Sequence, residues 1–158
     1  NKETLCKNVY ERQQKANELR TLLEKELVKA HIEAKFTWDI GATENEMQEA
    51  LLLIRQAQWR WDFGVSSHGG SFHAPQETMR ILGHGLNKVF QARMLISKVL
   101  VAHGYTDNVP LPDITTKEKA QQYIGLDMAV EKADKDKFLK EIVPEWLQKA
   151  KANGRIVN

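Results

Sequence analysis

An all-α fold of long antiparallel helices with a shorter, kinked C-terminal helix is predicted by three observations. The stretch from Glu3 to Trp38 contains no glycine or proline, apolar residues recur at three- and four-residue steps over most of the chain, and no segment shows convincing strand alternation. A length of 158 residues, 42% hydrophobic and 28% charged, suits one helical domain, predicted over 1–158, and argues against disorder.

The first helix, Glu3 to Trp38, carries Leu5, Val9, Ala16, Leu19, Leu23, Ala30 and Ala34 on one stripe, with Arg12 at a seam position. That stripe is narrow and coiled-coil-like. A rod of this length reaches about 50 Å at ~1.5 Å per residue, longer than one small core covers. Part of it is therefore expected to need a partner. Ile40-Gly41-Ala42 breaks the helix, and Thr43-Glu44-Asn45-Glu46 reads as a capping box that opens the second.

The second helix places Met47, Ala50, Leu51, Ile54, Ala57, Trp61 and Val65 on one face and folds back on the first. Its stripe ends at Ser66-Ser67-His68, Gly69 and Gly70 stop it, and Ser71-Phe72-His73-Ala74 forms a loop into Pro75, a favoured first helical residue. From Pro75 to about His103 a third long helix shows Met79, Leu82, Leu86, Val89, Arg93, Ile96 and Leu100, closed by Gly104. Tyr105 to Thr115 is an extended connection. Lys117 to Ile124 is a short helix capped by Thr115 or Thr116. The last helix, about Ala129 to Asn153, meets Pro144, where a kink or break is expected.

Composition excludes several classes of function. The longest apolar run, Ala50 to Ile54, is far short of the ~20 residues of a membrane span. A net charge of +2, from 23 basic and 21 acidic residues mixed along the chain, makes no field that gathers phosphates, so nucleic acid is a poor partner. Cys6 alone forms no internal disulfide, multi-cysteine zinc site or C-x-x-C-H haem attachment. It reads as a buried or half-buried small hydrophobe beside the first stripe.

Helical pairs such as Glu11 with Lys15 support a solvated surface and are not acid–base pairs. Gly83-His84-Gly85 interrupts the third long helix, where each glycine costs about 1 kcal/mol relative to alanine. A tight helix crossing or tolerated defect accounts for it more readily than a flat cofactor. The segment from Gln58 to Pro75 concentrates Trp59, Trp61, Phe63, Phe72, His68, His73 and three glycines around a turn, which suits a large planar ligand. On spacing alone its histidines read as hydrogen-bonded structural residues, and no H-x-x-x-H or H-E-x-x-H pattern offers zinc a helix face. His31, His84 and His103 receive no role.

Across Ala30-His31-Ile32-Glu33-Ala34-Lys35, Gly41-Ala42-Thr43, Gln58-Trp59-Arg60-Trp61-Asp62, Ser67-His68-Gly69, His73-Ala74-Pro75, Pro112-Asp113-Ile114, Thr116 to Gln122 and Ile124-Gly125-Leu126, the chain resembles the C-terminal helical region of the ammonia-forming pentahaem cytochrome c nitrite reductases. In register the likeness covers essentially the whole chain. It implies the helical C-terminal domain of a periplasmic oxidoreductase that reduces nitrite to ammonium with six electrons. It also implies haem c, and calcium in a part of the family pattern that this chain lacks. The partners implied are a second copy, joined through the long helices, and a cytochrome or quinol dehydrogenase as electron donor.

The same likeness puts Asn1 just after the last C-x-x-C-H of the family pattern, so an inactive fragment with no catalytic residue of its own is expected. One role carries over by position: the His of the H-A-P motif, here His73, is implied to be a distal axial ligand to a six-coordinate haem iron. Its second ring nitrogen is expected to be held by a carboxylate, carbonyl or water. Family members often have a histidine where this chain has Ser71, so the loop is not read as a histidine cluster. His68, extending the Trp61–Val65 stripe, is expected to be structural. The competing reading is a haem-free helical module whose long helix binds another protein.

Overall fold

The computed structural model describes residues 1–156, and every regular element among them is helical. They fall into two compact units, Asn1–Leu111 and a second beginning at Pro112. In the first, α1 (Lys2–Asp39), α2 (Glu44–Ser66), α3 (Gly70–His73) and α4 (Pro75–Ala102) follow one another through short turns. The second holds α5 (Lys117–Tyr123), α6 (Met128–Lys137), a π-helical turn (Phe138–Ile142) and α7 (Val143–Ala152).

The Asn1 side chain accepts the Thr4 N–H at 3.0 Å and so caps α1. Its C-terminal turn ends through Gly41, whose φ of 98° a side chain would strain. Thr43 and Glu46 then form both halves of the expected capping box: Thr43 Oγ1 accepts the Glu46 N–H, and Glu46 Oε2 accepts the Thr43 N–H at 2.7 Å. Held so tightly, α2 returns along α1, and α4 packs against both.

Leu23, Leu27 and Ala30 of α1, Met47, Ala50, Ile54 and Ala57 of α2, and Leu82, Val89, Ala92 and Ile96 of α4 fill the core between them. Burial in α1 starts only at Ala16. Leu5, expected on the packed stripe, is 67% exposed, and Cys6, expected to be at least half-buried, is also exposed. Both lie on the turns of α1 that run past the ends of its neighbours, which is why the pattern there has nothing to pack on.

Gly85 explains half of the Gly83-His84-Gly85 interruption. A Cβ on it would stand 2.7 Å from Leu23 Cδ2 and 3.2 Å from Arg60 Cβ, so α1, α2 and α4 pack too closely there for a side chain. Around Gly83 nothing lies within 4 Å of the corresponding position. Arg93, read within an apolar stripe, instead carries a charge into the α1–α4 seam. Its guanidinium forks onto Glu33 at 2.8 and 2.5 Å and also donates to Glu26, a buried carboxylate that Lys29 Nζ meets at 2.7 Å. Donation of its hydrogen bonds to the Glu33 carboxylate holds the Arg93 pKa above its ordinary value.

None of the described residues of the second unit is buried. Thr116 caps α5, as one of the two expected alternatives, and Asp127 caps α6 by accepting from Ala129 and Val130. The break expected near Pro144 is a wider turn: Val143 N–H reaches Phe138 O, five residues back, and α7 resumes with Pro144 in its first turn.

Candidate functional site

The junction between α2 and α4 follows from four residues. α2 stops at Ser66, and Gly70 then opens a single helical turn, where a Cβ would press within 3.0 Å of Thr78 Oγ1 and 3.2 Å of Ser67 Cβ. Pro75 disfavours helical geometry in the residue before it, and Ala74 accordingly takes φ −138° and ψ 59°. The turn therefore ends at His73, and α4 starts afresh at Pro75. The expected irregular loop is in fact this helical turn, because Gly69 O, Gly70 O and the following N–H groups find one another: His73 N–H donates to Gly69 O at 2.9 Å and Ala74 N–H to Gly70 O at 2.9 Å.

His73 is exposed. Its ring lies edge-on to Phe72, with centroids 4.9 Å apart, and its Cδ2 sits 3.0 Å from where Gly69 would carry a Cβ. The backbone of Gly69 and the ring of Phe72 thus set the imidazole from two sides. Neither ring nitrogen has a hydrogen-bond partner among the described residues, so no carboxylate or carbonyl among them fills the second-nitrogen role expected of it.

The other histidines are placed differently. His68, expected to continue a packed stripe, is exposed in the turn after α2, because the helix ends before that stripe reaches it. His31 on α1 and His84 on α4 are exposed. His103 Nε2 lies 3.2 Å from Glu46 Oε1, tying the end of α4 to the start of α2. Thr43, first, and then His103 lower the Glu46 pKa to about 2. The aromatic cluster divides: Trp59, Phe63 and Phe72 are exposed, whereas Trp61 packs half-buried against the core.

Behind the α3 turn lies a small cavity of about 70 Å³ lined by Asn17, Arg20, Ser71 and Thr78, among others. Arg20 Nε is buried and has no acceptor among the described residues. Among those residues no group of three or more His, Cys, Asp or Glu side chains could hold a metal ion. What the junction offers instead is one exposed imidazole with no hydrogen-bond partner among the described residues, held edge-on to an exposed aromatic ring. A single imidazole of this kind fits a porphyrin iron, whose four ring nitrogens leave only axial positions for the protein. The glycine–phenylalanine frame around His73 is what spacing could not reveal. The Glu26–Arg93–Glu33 cluster was missed as well, although an arginine at an apolar-stripe position was its one visible signal.

The family model described as cytochrome c552 matches residues 1–154. A protein named cytochrome c-552 from Bacteroides fragilis is 73% identical over 154 residues, 98% of this chain and 31% of the relative. Those of the same name from Bacteroides thetaiotaomicron and Porphyromonas gingivalis are 71% and 63% identical over the same share of this chain. The chain thus spans 31% of the length of these curated relatives.

These matches correct two expectations. The family is cytochrome c552 and not the ammonia-forming nitrite reductases, for neither the matching model nor these relatives' names mention that reaction. The haem-free interaction module falls with the same finding, since the shared name is that of a cytochrome.

Proposed function

We propose, because this chain belongs to the cytochrome c552 family, that it is the helical part of an electron-transfer protein and presents His73 as an axial ligand to a c-type haem. Family membership makes the protein a redox protein of the cytochrome c type, with haem as its cofactor. The observation that carries the choice of residue is the frame around His73. Gly69 leaves room for its ring, Phe72 meets that ring edge-on, and Pro75 ends the turn so that the imidazole leaves the helix stripe. Both ring nitrogens remain free to donate a lone pair or a proton. Haem supplies the one-electron chemistry when bound. His73 would hold the iron six-coordinate and so fix its spin state, while α2 and α4 hold His73.

Self-association through α1 and α4 belongs to the same reading. On α4, Phe90, Met94 and Val101 are exposed and recur at helical spacing on the face that begins at Gly83, opposite the buried stripe. Leu5 and Tyr10 are exposed on the overhang of α1. A second copy covering these residues would bury apolar surface that the unit itself leaves in water. A periplasmic location and a cytochrome or quinol dehydrogenase as electron donor complete the proposal. Among the described residues no helix is long and apolar enough to cross a membrane.

The test is His73→Ala in the whole cytochrome that carries this chain. One low-spin, six-coordinate haem should become high-spin in its optical and electron paramagnetic resonance spectra. If every haem keeps its spectrum while His68→Ala or His84→Ala removes one, the ligand has been assigned to the wrong histidine.

A further inference from the structure

Between α2 and α4, on the side away from α1's core contacts, the two helices enclose an open groove of about 550 Å³. That volume lies within the ~300–1,000 Å³ of pockets that take small-molecule ligands. Trp59, Phe63 and Ile81 form its apolar wall, and Arg60, Arg80 and Lys88 bring three cations to it. Trp59 is 76% exposed, an unusual state for so large a ring unless something covers it.

The charges around the groove do not cancel. Arg80 is forked onto Glu77 at 2.7 and 2.6 Å. Arg60 Nη1 donates at 2.7 Å to the Gln56 carbonyl of its own helix and meets no carboxylate among the described residues. Lys88 has no ion-pair partner among the described residues. Three cations thus face one bonded carboxylate, and His84 also lines the groove. Its width is set by the crossing at Gly85, whose bare backbone lets α4 approach Arg60 Cβ and Ala57 O.

We infer that this groove binds the carboxylate-bearing edge of a porphyrin. The macrocycle would lie against Trp59, Phe63 and Ile81, and its propionates would meet Arg60 and Lys88, with Arg80 exchanging part of its bond to Glu77. A flat apolar body with anionic groups on one edge matches a wall of aromatic side chains with unpaired cations beside it. The choice of a porphyrin rests on the cytochrome reading above; the demand for an apolar, anionic ligand rests on the groove alone.

The test uses this chain and metal-free mesoporphyrin IX, so that no iron ligation contributes, and follows quenching of tryptophan fluorescence. Saturable binding is expected, with Trp59→Phe removing most of the quenching and Arg60→Gln together with Lys88→Gln weakening affinity at least tenfold. The dimethyl ester, which lacks both carboxylates, should bind at least tenfold more weakly than the free acid. His73→Ala should leave all of this unchanged, which separates the groove from the axial-ligand proposal. No saturable binding, equal affinity of the double variant, or equal affinity of the ester overturns the inference. So does displacement of the porphyrin by an equal concentration of polyglutamate, which would show that the groove reads charge alone.

Discussion

Leu23 Cδ2 lies 2.7 Å from the position that a Cβ on Gly85 would take, so α1 and α4 touch where one residue has no side chain to offer. Two glycines two residues apart on α4 therefore have opposite physical meanings, and substitution separates them.

Gly85→Ala should destabilise the protein by about 1–3 kcal/mol, the usual penalty of overpacking, despite alanine's better helix propensity. Gly83→Ala has open space to enter and should stabilise by about 1 kcal/mol. Urea unfolding midpoints of the two variants should move in opposite directions. Movement in the same direction would show that the crossing at Gly85 relaxes freely.

Arg93→Ala leaves Glu26 buried and Glu33 half-buried with no cation forked between them. Removing one member of a buried pair costs about 3–5 kcal/mol, and partial exposure of the guanidinium puts this case near the lower figure. Adding Glu33→Gln to Arg93→Ala should recover part of the loss, because Glu33 loses its forked cation while Glu26 keeps Lys29 at 2.7 Å. A double-mutant cycle read by thermal unfolding checks both effects.

Glu46 links the capping box to His103, and its pKa falls from 4.5 to about 2. A carboxyl whose folded value is depressed contributes stability that is complete above its unfolded pKa and lost as pH falls through the folded one. This contribution should be present above pH 4.5 and disappear toward about pH 2. Glu46→Gln should lower stability at neutral pH and flatten its pH dependence across that window, in denaturant titrations at a series of pH values.

Met94→Glu together with Phe90→Glu should abolish self-association without altering helix content, since both side chains are exposed on the outer face of α4. Sedimentation velocity of the parent chain at high micromolar concentration should show a dimer, and of the variant a monomer. A monomeric parent would count against an interface that these helices form without the rest of the cytochrome.

The long helices were legible because periodicity and capping act locally. Thr43 and Glu46 form their box from four consecutive residues, and Pro75 starts α4 wherever the rest of the chain lies. Leu5 and Cys6 were misjudged for the converse reason: a stripe shows which face is apolar, not how far the neighbouring helices extend. His73 was picked out by kinship, whereas the frame of Gly69 and Phe72 is a matter of ångströms. The groove joins Trp59 and Phe63 to Arg80 and Lys88 across the α2–α4 junction, and no one-dimensional pattern pairs those positions.

The wide turn at Phe138–Ile142 lets the C-terminal helix absorb an extra residue without losing its phase. At about 100° per residue, eight steps of regular α-helix would leave Phe138 and Trp146 roughly 80° apart around the axis, while seven steps nearly align them. The π turn makes eight residues count as seven, and the two rings meet edge to face with centroids 5.4 Å apart. Deleting one residue within the turn should therefore restore regular winding and keep these rings in register, but it would bring Pro144 into an ordinary helix interior, with a carbonyl left unserved. The proline and the surplus residue compensate each other, so that either one alone would disturb a helix that carries both.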